Sequence, residues 1–132
     1  MTLSSFYTQV LERLQERLPA QLGPASSLPT QGGKVTQSAV LWPTAGTMRH
    51  RANAGQGADR VETFTVICLG PSALDALAAA DKVRAALTGL VLRPGASPMR
   101  ETGVPTSPAA EPNTDPVRVS LSLQFTTISK EL

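Results

Sequence analysis

Apolar residues recur along this chain in two rhythms, and each change of rhythm marks an element. Leu3, Phe6, Tyr7, Val10, Leu11, Leu14 and Leu18 are spaced three or four apart, which places them on one stripe of a helix. Glu12, Arg13, Glu16 and Arg17 fall mostly off that stripe. Pro19 stops the helix, because its ring pushes Leu18 out of the helical region. Near the other end, Val117, Val119, Leu121, Leu123 and Phe125 alternate with Arg118, Ser120, Ser122, Gln124 and Thr126. A period of two predicts a half-buried strand over 117–128 with the first set on its core side.

Between them, FTVICLGPSALDALAAADKVRAALTGLVL (Phe64 to Leu92) changes rhythm twice. Arg60 to Leu69 predicts a strand. Val66 and Cys68 face one way, Ile67 and Leu69 the other, so this half is apolar on both faces and belongs at the centre of a sheet. Gly70-Pro71-Ser72 makes the turn. Ser72 is placed as helix N-cap, with Asp75 three residues on. Ala73, Ala76, Leu77, Ala80, Val83 and Leu87 form the expected buried stripe, and Asp75, Asp81 and Lys82 lie off it or at its edge. Gly89 stands where a helix takes its left-handed terminator. A stripe so rich in alanine lets the helix lie close to a sheet. LVLRPG then starts a short strand. Upstream, VTQSAVLWPT reads as another strand, ending where Pro43 withholds a ladder donor.

The remaining stretches, at about 19–35, 44–59 and 94–116, are rich in Pro, Gly and small residues and read as loops. The second carries a basic cluster, Arg49, His50 and Arg51, and reads as mobile in a free subunit. The element order is helix, strand, strand, helix, short strand, long strand, with no internal repeat. It predicts one α+β domain over 1–132, an antiparallel sheet with two helices packed on one face.

Composition narrows the function without naming it. The chain has 132 residues, 41% hydrophobic, with 11 prolines, 10 glycines and a net charge of +2. That length supports a hydrophobic core without metal or disulfides, and so small a net charge does not by itself imply nucleic acid. The start is amphipathic and lacks the continuous apolar core of a signal peptide. No stretch approaches the roughly 18–20 apolar residues needed to span a bilayer. A soluble, intracellular protein without membrane partners is expected.

Candidate chemistry is sparse. The Gly70-Pro71-Ser72 turn lacks the second glycine of a nucleophile elbow and the glycines and lysine of a phosphate loop, so Ser72 reads as a cap. The single cysteine, Cys68, lies in an apolar strand and reads as a buried structural thiol. One histidine, His50, and one cysteine far apart cannot build a standard zinc site. His50 has no orienting carboxylate near it in sequence, and Asp75 and Asp81 sit beside Lys82 and Arg84 on what reads as a solvated helix face. No catalytic, metal or cofactor-binding residue is expected, and no cofactor. The basic residues Arg49, His50, Arg51 and Arg60, with Trp42 just before them, are the candidate interface: a protein contact, a DNA-phosphate contact or a solvated loop. Without interleaved aromatics a single-strand stacking platform is not expected.

VLWP (Val40 to Pro43), FTVICLG (Phe64 to Gly70), ALDALAAADKVRAALTG (Ala73 to Gly89) and RVSLSLQF (Arg118 to Phe125), in this order behind an amphipathic first helix, resemble the tail terminator proteins of long-tailed bacteriophages, also called tail-completion proteins. The resemblance covers most of the chain outside 19–35 and 94–116 and includes no catalytic signature. It implies a non-enzymatic virion protein that assembles as a hexameric ring at the head-proximal end of the tail, after assembly in the host cytoplasm. Its implied partners are other copies of itself, the tail tube protein and the head-neck connector, with DNA passing through the ring. A ring neighbour is one way to cover the long final strand, an aggregation hazard if left bare. The rival expectations are a head-tail adaptor or head-closure protein whose basic loop meets DNA and, more remotely, a small enzyme domain using His50.

Overall fold

The structure is a computed structural model describing residues 3–23, 30–45, 47–50, 58–92, 95–111 and 118–130. Helix α1 (Leu3–Gln15) buries Phe6, Tyr7, Val10 and Leu14, the stripe expected from the spacing. Its regular turns end at Gln15. Leu18 still donates to the Leu14 carbonyl at 3.1 Å and is itself buried, so the helix is tied off just before Pro19.

The stretch 19–35 is not simply a loop. It contains strand β1 (Ala20–Leu22), then β2 (Thr30–Gln31) and β3 (Lys34–Val35). The last two form a tight antiparallel hairpin turning through Gly32 and Gly33, whose φ of 60° and 76° suits glycine. β4 (Ser38–Trp42) pairs parallel with β1 and antiparallel with β6 (Ala58–Gly70). The stretch 44–59 is also partly ordered into sheet. β5 (Thr47–His50) pairs with the start of β6, Arg49 opposite Asp59 and His50 opposite Ala58. Backbone pairing with the long β6 draws these residues into strand despite their polar composition. Residues 51–57 lie outside the described set.

Helix α2 (Ala73–Leu87) begins as expected. The Asp75 N–H donates to Ser72 Oγ at 3.2 Å, and that hydroxyl donates to the Asp75 carboxylate at 2.8 Å. The strand-to-helix turn is tight because Gly70 has no side chain: a Cβ there would stand 2.6 Å from Asp75 Cβ and 2.9 Å from the Ala76 nitrogen. Gly89 follows the helix at φ 82°. The buried face is Ala76, Ala79, Ala80, Val83 and Leu87. Ala73 and Leu77, expected on it, are exposed, Leu77 by 43%. They sit on the neighbouring helical rows, and in an alanine-rich helix the apolar side carries a weak signal of its phase.

Residues 90–92 do not form the expected strand. Gly89 donates to the Met99 carbonyl at 2.7 Å and Met99 to the Leu90 carbonyl at 2.8 Å, so the chain doubles back there and buries Met99. Within 94–116, β7 (Arg100–Thr102) and β8 (Ala109–Ala110) both pair with β9 (Val119–Lys130). β9 keeps the expected phase, with Leu121, Leu123 and Phe125 buried; Val117 lies outside the described residues. Thr126, on the outward phase, is buried too, and its hydroxyl donates to the Glu62 carbonyl at 3.1 Å.

Among the described residues the main sheet has seven strands in the order β1-β4-β6-β9-β7, with β5 following β4 along β6 and β8 following β7 along β9. Every pair but β1–β4 is antiparallel. β6 is central, as its two-sided apolar run requires. Both helices contribute to one core with one face of this sheet, where Phe6, Tyr7, Phe64 and Phe125 meet ring to ring. The architecture is α+β.

Candidate functional site

Ser72, Cys68 and Asp75, which could have carried chemistry, are engaged in the fold. Ser72 caps α2. Cys68 is fully buried, and burial pushes its thiol from 9.0 up to about 12, with Arg84 opposing and Glu101 adding to the shift. A thiol so protonated is a poor nucleophile at neutral pH. Asp75 accepts from Gln37 Nε2 at 3.0 Å, and Lys82 donates to Gln37 Oε1 at 2.6 Å, so the charged edge of α2 anchors the segment before β4. Asp81 is exposed. Among the described residues no three His, Cys, Asp or Glu side chains are grouped to hold a metal ion. No helix among them is long and apolar enough to cross a membrane.

The structure sets part of the expected interface on one flank of β6, spread along it. β4 and β5 lie on the same flank of β6, so Trp42 at the end of one and Arg49 and His50 in the other share that flank. Arg51 lies outside the described residues. Trp42 is 40% exposed, and its indole lies across Gly23, where a Cβ would come within 2.5 Å of the ring. Arg60 behaves differently from its expected group. Its Nε stands 3.1 Å from the carboxylate of Glu62, whose side chain is fully buried. A buried carboxylate needs such a counter-charge, so Arg60 serves the interior at least as much as the surface.

The more informative surfaces are the sheet's two edges, which sequence reading passed over. β9 does not await a neighbour. The segment 97–111 straps its outer side from one end to the other. Ser97 donates to the Ile128 carbonyl at 2.7 Å, Thr106 to the Ser122 carbonyl at 3.2 Å and Glu111 to the Arg118 carbonyl at 2.9 Å, with β7 and β8 pairing between. Two ion pairs hold the strap. Arg84 of α2 makes a forked contact with Glu101 at 2.7 and 3.1 Å, which holds the Glu101 carboxyl below its ordinary range, and Arg118 pairs with Glu111. Pro98, Pro105 and Pro108 were the available signal, since prolines suit an interrupted edge strand. On the opposite side the last strand is the three-residue β1.

No family model and no curated protein sequence matches this chain. Solved structures do. One, described as the virion of a native gene transfer agent (GTA) particle, contains a chain that aligns with 95% of this protein and 91% of its own length, at a TM-score of 0.53 and 21% sequence identity. The two chains share a fold. At that identity the likeness speaks for architecture, and it extends over nearly the whole of both chains.

Proposed function

We propose that this chain is a structural protein of a tailed, phage-like virion and not an enzyme. The observation that carries this is the near end-to-end fold likeness to a chain of a gene transfer agent virion. The sequence phrases that resemble tail terminators point the same way by a separate route. In the finer reading the chain forms a hexameric ring on the finished tail tube, ends its polymerisation and joins the head-neck connector, at the head-proximal end of the tail. Its partners are other copies of itself, the tube protein and the connector, with DNA in transit through the ring. The strand-turn-helix unit around Gly70 then serves as a rigid wedge, and function resides in edges and loops.

A second reading, a head-tail adaptor or head-closure protein, is favoured by one observation: Arg49 and His50 lie in the β5–β6 hairpin, followed directly by Arg51, a basic segment suited to DNA phosphates. Electron microscopy of particles made without this protein separates the two. Overlong or unjoined tails are expected for a terminator, because nothing then stops tube growth. Normal tails beside heads that have lost their DNA would favour the adaptor. Mature tails of normal length attached to filled heads would overturn both.

A further inference from the structure

β9 is held from both sides, and the two holds differ in kind. β6 pairs with it in an unbroken ladder from Asp59–Lys130 to Gly70–Val119, over a core that includes Phe64, Val66, Leu123 and Phe125. The 97–111 strap pairs with it only in two short pieces, β7 and β8. Elsewhere hydroxyls stand in for strap backbone: Ser122 donates its N–H to Thr106 Oγ1 at 2.7 Å, and Ile128 donates to Ser97 Oγ at 3.0 Å. Pro98, Pro105 and Pro108 have no N–H to offer. Met99 is the one buried side chain of the strap, whereas residues 103–107 and both alanines of β8 are exposed. Gly95 and Gly103, at φ of 79° and 71°, put joints on either side of β7. A segment with so little buried apolar surface and so much exposed backbone opens at lower free energy than the core.

Charge supplies what burial does not. Glu101 and Glu111 are the strap's only acidic residues, and each meets an arginine rooted in another part of the fold. Glu101 takes the fork of Arg84 on α2, and Glu111 takes Arg118 beside the start of β9. Ser120 Oγ adds a bond to Glu111 at 3.3 Å. A forked guanidinium–carboxylate contact is among the stronger polar contacts and fixes orientation as well. The Arg84–Glu101 contact ties the strap to the helix layer, so it spans the joint that opening must break.

We propose that the 97–111 strap is a latch with Arg84–Glu101 as its catch. It opens as a unit of its own and bares the outward backbone groups of β9 while β9 stays paired with β6. Successive residues of an antiparallel strand turn their N–H and C=O groups to opposite neighbours. Ser122 and Ile128 donate to the strap, so Ser120, Gln124 and Thr126 face it too, and Leu121, Leu123 and Phe125 face β6. The open latch presents a strand edge, and the closed latch presents an edge already filled.

Native-state amide hydrogen exchange of the purified full chain, read residue by residue under conditions where exchange follows the opening equilibrium, tests this. In wild type the protection factors of Ser122, Gln124 and Thr126 are expected to be at least about tenfold below those of Leu121 and Leu123. Glu101→Gln is expected to lower the first set by a further factor of about 2 to 10 and to leave the second set unchanged. Arg84→Gln, made on the helix instead, should reproduce that pattern. The double variant should add little to either single change, because both remove the same contact. Equal protection on the two sides of β9 in wild type would overturn the latch, since the strap would then open only with the core. An equal fall on both sides in the variants would overturn it in the same way. Strap-side protection that neither variant changes would overturn Arg84–Glu101 as the catch.

Discussion

Ser72 and Cys68 show how residues with latent reactivity are committed to the fold. The Ser72 hydroxyl bonds the Asp75 backbone and carboxylate, so its contribution is that of a cap. Ser72→Ala is expected to lower stability by about 0.5–2 kcal/mol and Ser72→Asp to be nearly neutral, as read from denaturant midpoints. Labelling of Ser72 by a serine-hydrolase probe would contradict that role. Cys68, with its thiol raised from 9.0 to about 12, stays neutral in the folded protein at pH values where it would ionise in the unfolded chain. The sign follows directly. Its contribution is fully present below pH 9 and is lost as pH climbs toward 12, because the unfolded state releases the proton first. Unfolding free energy measured across that window should fall more steeply for wild type than for Cys68→Ala. Equal slopes would mean that the thiol is not held protonated by burial.

At the scale of elements, β6, α2 and β9 were legible because each is long enough for its period to repeat. Leu121, Leu123 and Phe125 on β9 form the core that alternation assigned to them, together with Phe64 and Val66 on β6. The strands β1, β2, β3, β5, β7 and β8 have two to four residues each, too few for a period. β1, β5, β7 and β8 exist because longer neighbours offer backbone partners, and β2 and β3 because a glycine turn folds them onto each other, which composition does not record. The sealing strap was therefore invisible in a segment that reads as Pro-rich loop. Leu77 failed for another reason: alanine on several sides of α2 left its rotation about the axis poorly marked, and the buried place belongs to Ala79. A matched pair of truncations tests the corrected face. Leu121→Ala should cost about 2–5 kcal/mol, whereas Leu77→Ala, at 43% exposure, should cost well under half as much. Equal losses in chemical denaturation would mean that Leu77 is core after all.

At the scale of the molecule, the chain closes one flank of its sheet with its own backbone and carries Trp42, Arg49 and His50 at successive points along the other. The candidate interface was partly legible: the residue types were visible, but not the strand pairing that sets β4 and β5 end to end along β6. That arrangement makes a charge reversal informative. Arg49 enters the sheet through backbone pairing with Asp59, so replacing Arg49 and Arg51 together with glutamate should leave the subunit folded, as judged by a cooperative thermal transition, lowered somewhat because glutamate at 49 opposes Asp59. If the basic segment meets protein, virions carrying the double variant should show unjoined or overlong tails, while the purified wild-type subunit should not retard duplex DNA at physiological salt. If it meets DNA phosphates, the wild-type subunit should retard DNA with a steep salt dependence. The double variant should then lose that binding, and tails should keep their normal length beside heads that leak. Normal particles from the double variant would remove Arg49 and Arg51 from either interface.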